Sequence, residues 1–87
     1  MNFFVYYLYS EKIGKYYLGQ TDSMDYRLWE HNTGAEKYTK RGSPWKLIGW
    51  IMCEDRSEAM VLENKLKRSK NPKYVRWYIE KNGVLKK

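Results

Sequence analysis

Eighty-seven residues with one cysteine, 17% aromatic content and a formal net charge of +7 make one small domain. They exclude a disulfide framework, a zinc site of several cysteines and a large enclosed cofactor cavity. The charge is uneven, net −1 over residues 1–35 and +8 over 36–87, so the second half points to an anionic partner. Nucleic acid is the commonest such partner for a small basic chain, with a merely soluble basic surface as the plainer alternative.

In chain order, "FFVYYLYS" is rich in aromatic and branched residues, is bounded by polar "SEK", and predicts a strand buried on both faces. A turn around Ile13 and Gly14 brings back an antiparallel partner, "KYYLGQ". Gly19 interrupts this second strand at a cost in packing and chain entropy that asks for a reason. "TDSMDYRLWEHNTG" predicts a helix with Thr21, Asp22 or Ser23 as N-cap and Gly34 as the stop, followed by the basic loop "AEKYTKRGSP".

"WKLIGWIMCE" predicts a third strand, apolar enough to lie centrally. Cys53 ends this stretch and reads as a buried structural thiol in a reducing, cytoplasmic setting. A helix then runs through "EAMVLENKLKRS", capped by Asp55 or Ser57, with Asp55 and Glu58 at capping-box spacing. The last helix, "PKYVRWYIEKN", opens at Pro72 and stops at Gly83. The expectation is a single α/β (α+β) domain over residues 1–87. It has a small three-stranded, mainly antiparallel sheet flanked by helices, in the order β-β-α-β-α-α. The longest apolar run is too short to span a bilayer and lacks the flanks of a signal peptide, so neither membrane insertion nor export is expected.

Two helices carry polar residues where an apolar face is due. On the first, Met24, Arg27, Leu28 and His31 share an arc of about 100 degrees, and Arg27 and His31 are an i, i+4 pair whose head groups can converge. Periodicity leaves open the opposite arrangement, in which Tyr26 and Trp29 mark the buried face and Arg27 and His31 face water. On the second helix, Glu63 borders the stripe of Ala59, Leu62 and Leu66. A carboxylate there needs a partner, which an ion pair with Lys67 or a metal ion could supply.

These residues resemble the GIY-YIG endonuclease superfamily. "FVY" (4–6) is similar to the end of its first motif and supplies Tyr6; "YLG" (17–19) is similar to its second and supplies Tyr17 and Gly19. Arg27 and His31 match an arginine and histidine one turn apart on the first helix, and Glu63 matches the metal-binding glutamate on the second. "SEK", "GQT", "HNTG", Thr39 with "PWKL", and "EAMVLENKLK" extend the likeness, over residues 2–80, to the compact single-domain bacterial branch. Phe4 replaces the first motif's glycine. The asparagine that many members carry downstream has its nearest counterpart in Asn71, whose spacing does not match.

The resemblance implies a metal-dependent endonuclease acting on DNA, branched or damaged substrates included, in repair or recombination. One Mg2+ or Mn2+ would be held by Glu63, and Arg27 would grip the scissile phosphate. Tyr6 would be the general base, with Tyr17 as positioning group or alternate base and His31 tuning the charge or accepting the proton. Tyr7, Tyr9 and Tyr16 read as packing. Gly19 would leave room for backbone or nucleic acid to approach. Lys37, Lys40, Arg41, Lys65, Lys67, Arg68, Lys70 and Lys73 are candidates for phosphate contacts. The alternative is a nucleic-acid-binding module of the same fold without catalysis.

Overall fold

The computed structural model describes residues 2–35, 37 and 39–86. Strands β1 (Phe3–Ser10), β2 (Lys15–Thr21), β3 (Lys46–Cys53) and β4 (Val84–Leu85) form one antiparallel sheet in the order β2-β1-β3-β4. Helix α1 (Met24–Thr33) follows β2; α2 (Arg56–Ser69) and α3 (Pro72–Asn82) lie between β3 and β4. The α+β class is as expected, but the sheet has four strands rather than three and the chain order ends β-α-α-β. Two residues are too short to show an alternating pattern. Val84 and Leu85 become a strand because β3 offers an edge, pairing with Trp50 and Gly49.

Helix boundaries follow local chemistry. Gly34 ends α1 in the left-handed region, at φ 79, where its N–H bonds the Glu30 carbonyl. Asp55 caps α2 by accepting the Glu58 N–H at 2.8 Å. Asn71 caps α3, accepting the N–H groups of Lys73 at 3.0 Å and Tyr74 at 3.2 Å, with Pro72 in the first turn. Its side-chain oxygen is therefore engaged in starting α3.

Strand alternation splits the interior into two layers. Val5, Tyr7, Leu18, Ile51 and Cys53 face α2 and α3, packing on Ala59, Leu66, Val75 and Ile79. Each fully buried aliphatic side chain there contributes about 1.5–3 kcal/mol. Tyr6, Leu8 and Trp45 face the other way, under Met24 and Leu28 of α1 and beside Tyr17, Leu47 and Trp50. This second layer is the smaller of the two, and it holds the Tyr6 and Tyr17 part of the candidate site.

Candidate active site

The register of β1 and β2 sets Tyr6 directly opposite Gly19, and Leu8 opposite Tyr17. A β-carbon at position 19 would lie 2.5 Å from Tyr6 Oη and 2.6 Å from Cζ. The glycine is thus the floor beneath the Tyr6 phenol, and the room it leaves is filled by that ring. The Tyr6 and Tyr17 rings are 6.2 Å apart between centroids.

Helix α1 brings His31 onto this pair. His31 is wholly buried, its ring 5.8 Å from that of Tyr6 and 5.0 Å from that of Tyr17. Its Nε2 is hydrogen-bonded to Tyr6 Oη at 2.9 Å, and its Nδ1 to Thr39 Oγ1 at 2.7 Å. The exposed face of α1 is the one carrying Tyr26 and Trp29, which are 58% and 56% exposed. The arrangement with those two rings buried and His31 in water is therefore the wrong one.

The loop after α1 is tied down around His31. Ser43 Oγ donates to the His31 carbonyl, Trp45 N–H donates to Asn32 Oδ1 at 2.6 Å, and Trp45 Nε1 donates to the Thr39 carbonyl at 2.7 Å. Ser10 Oγ donates to the Gly42 carbonyl at 2.7 Å, anchoring the loop to β1. Thr39 is the residue that motif reasoning assigned no role. Its signal was its place, with "PWKL", in the stretch that extends the likeness to the family, and nothing local says that it reaches a histidine eight positions back.

Charge converges on Tyr6. Burial, then the neighbouring Tyr17, push its phenol well above the ordinary tyrosine value. The charge and a hydrogen bond of Arg27 pull it down, and the Glu63 carboxylate adds to the rise. Burial works against the Arg27 charge, but the hydrogen bond to Glu30 and the neighbouring Tyr6, Glu30 and Tyr17 outweigh it and hold its pKa up. Arg27 Nη1 donates to Glu30 Oε1 at 3.2 Å.

Glu63 is on α2 with its side chain 14% exposed, and Oε2 is ion-paired with Lys67 Nζ at 2.7 Å. Among the described residues no group of three or more His, Cys, Asp or Glu could hold a metal ion. A single carboxylate still fits Mg2+, which keeps most of its waters and takes one or two protein oxygens. The charge of Lys67 would have to be shared or displaced.

Lys37, Lys40 and Arg41 are exposed on the loop that carries Thr39, whereas Lys67, Arg68 and Lys70 are exposed on the last turn of α2 and just beyond it. The cationic candidates thus lie on two segments of the chain. No helix among the described residues is long and apolar enough to cross a membrane.

The amino-acid sequence of this four-stranded domain matches a known family. The pattern of the GIY-YIG catalytic domain covers residues 2–75. The chain belongs to the GIY-YIG family. Proteins called UPF0213 in two strains of Streptococcus pneumoniae are 45% and 43% identical to it over 60 residues, covering 68% of this chain and 61% of each relative. The matched part is about three-fifths of the length of those relatives. The solution NMR structure of a UPF0213 protein from Bacillus halodurans is 28% identical and has a TM-score of 0.56, covering 95% of this chain and 87% of that one. A compact GIY-YIG domain is therefore what the chain forms. Tyr6, Tyr17 and Gly19 occupy the paired strands β1 and β2 of this domain.

Proposed function

We propose that this GIY-YIG protein is a metal-dependent endonuclease that hydrolyses DNA phosphodiester bonds, in repair or recombination. The observation that carries this reading is the hydrogen bond from Tyr6 to His31 at 2.9 Å, made by a phenol that also feels the charges of Arg27 and Glu63.

Because burial raises the Tyr6 pKa, the resting phenol keeps its proton. A protonated phenol donates to His31 Nε2, which leaves Nδ1 carrying the imidazole proton and donating to Thr39 Oγ1. In the reaction, Tyr6 Oη takes a proton from the attacking water as its own passes to Nε2. No free phenolate need stand in the resting site, which makes a high phenol pKa compatible with general-base work. Arg27 holds the non-bridging oxygens of the scissile phosphate with its planar donor fork and offsets charge in the transition state. Tyr17 fixes the position of the imidazole, its ring edge-on at 5.0 Å. Glu63 would hold one Mg2+ or Mn2+, which when bound supplies Lewis-acid stabilisation of the phosphate and leaving oxygen.

The test is incubation of the pure protein with supercoiled, nicked and branched DNA, with Mg2+ or with chelator. Cleavage in Mg2+ that chelator stops and Glu63→Gln abolishes supports the reading; cleavage that survives either change overturns it. The Glu63–Lys67 ion pair favours a second reading, a nucleic-acid-binding module whose carboxylate is already engaged. Salt-sensitive binding without cutting on every substrate would decide for that module.

A further inference from the structure

Three clefts of the surface meet at one residue, Tyr16. The first begins beside Tyr17 of the candidate site and runs past Lys67 and Lys70. The second passes Tyr7 and Tyr16 to Lys73 and Arg76. The third continues from Tyr16 and Tyr9 past Arg76 to Lys46 and Lys86. Every charged residue lining the three is a lysine or arginine, and among the described residues no carboxylate lines any of them. Two other clefts differ: one mixes Arg27 and Arg56 with Asp22 and Glu30, and another is lined by Glu58 as well as Lys65. Glu11 approaches the cationic path only at its far end, where it is ion-paired with Lys46.

Tyr16 is not packed away as its place in a hydrophobic strand suggests. It stacks on Tyr7, centroids 5.0 Å apart and planes 10° from parallel, and touches Tyr9 at 4.7 Å, yet 45% of it is exposed. A ring stacked on a buried neighbour and still nearly half exposed, at the crossing of cationic clefts, is what a strand with unpaired bases uses. Lysines and arginines follow the phosphates while the ring takes a base on its free face. A duplex hides its base faces and has no use for such a ring.

The geometry points to a single-stranded DNA track that leads from Tyr17 across Tyr16 to the Arg76 and Lys46 end. The preferred substrate accordingly has unpaired bases next to the scissile phosphate. This rests on the nuclease reading for its direction but is tested by binding alone.

The probes are a labelled oligodeoxythymidine and a duplex of equal length, titrated with the full chain in chelator so that nothing is cut. The strand should bind at least about tenfold more tightly than the duplex. Tyr16→Leu, which keeps an apolar contact on Tyr7 but offers no ring face, should lower strand affinity at least about fivefold and leave duplex affinity unchanged. Tyr16→Phe should retain both. Lys73→Ala with Arg76→Ala should reduce the dependence of log affinity on log salt by about 1.4 for the strand. Equal binding of strand and duplex overturns the track, and so does a folded Tyr16→Leu that binds the strand like wild type. Strand binding as expected with no cleavage of any DNA in Mg2+ overturns the nuclease reading and leaves the track standing.

Discussion

Gly19 and Tyr6 face each other across the β1–β2 pair so closely that the phenol stands where a side chain at position 19 would be. That relationship makes the glycine a determinant of the Tyr6–His31 hydrogen bond. Gly19→Ala should push the ring away from His31, destabilising the fold by about 1–3 kcal/mol through overpacking. Tyr6→Ala empties the space, so adding Gly19→Ala to it should cost close to nothing. The coupling in a double-mutant cycle, read by denaturant unfolding, should be about 1 kcal/mol or more. Simple additivity would show that the two residues do not compete for the same volume.

Thr39 should matter through His31. Thr39→Val removes the oxygen bonded to His31 Nδ1 in a buried place and should cost about 1–3 kcal/mol of stability. Cleavage should fall further than the loss of folded protein explains, because the imidazole loses an anchor. Thr39→Ser keeps the oxygen and should restore both properties, as thermal melting and cleavage of one substrate would show.

Alkaline pH gives a test of burial. The Tyr7 phenol is pushed up to about 12, first by burial and then by Tyr16, and that of Tyr6 is also raised. A phenol whose folded pKa lies above the unfolded value near 10 stabilises the fold fully below pH 10. The contribution is lost as pH rises from there towards the folded value. Stability should therefore decline between pH 10 and 12, with Tyr7 contributing on the order of 2 kcal/mol of the loss. Tyr7→Phe should flatten the decline, and tyrosinate absorbance should show two phenols lagging behind the exposed ones.

The ion pair of Lys67 with Glu63 sets up a competition with any cation. The Lys67 end is half-exposed, so the pair is worth less than about 1 kcal/mol. Lys67→Ala should tighten Mn2+ binding to the DNA-free protein a few-fold, measured by calorimetry, while weakening DNA binding. Glu63→Gln should abolish the Mn2+ binding. Unchanged affinity in both variants would remove Glu63 as the metal ligand.

Much of this was legible in the sequence wherever the signal is local. Gly34, the Asp55 cap and Pro72 each act within one turn of helix, and each does what its position implies. Tyr6, Tyr17 and His31, singled out one by one in the sequence, lie with their rings side by side. What escaped depends on contacts between distant segments. β4 exists only because β3 presents an edge to Val84 and Leu85. Thr39 matters only because the loop folds back on His31. The reason for Gly19 required the register with Tyr6, since a glycine in a strand looks the same whether it admits a ligand or a neighbouring ring. Tyr16 shares its strand pattern with buried tyrosines, and only the edge position of β2 leaves it open.

The most direct measurement is single-turnover cleavage by Tyr6→Phe beside wild type, in Mg2+, on a substrate the wild type cuts. The substitution removes one hydroxyl and keeps the ring over Gly19, so DNA binding should change little, while the lost hydrogen bond to the buried His31 should cost about 1–3 kcal/mol of stability, as Thr39→Val does. The cleavage rate should fall by about 100-fold or more, the contribution of a positioned general base. A folded Tyr6→Phe protein that cuts as fast as wild type would contradict the assignment of the proton transfer to the Tyr6–His31 pair.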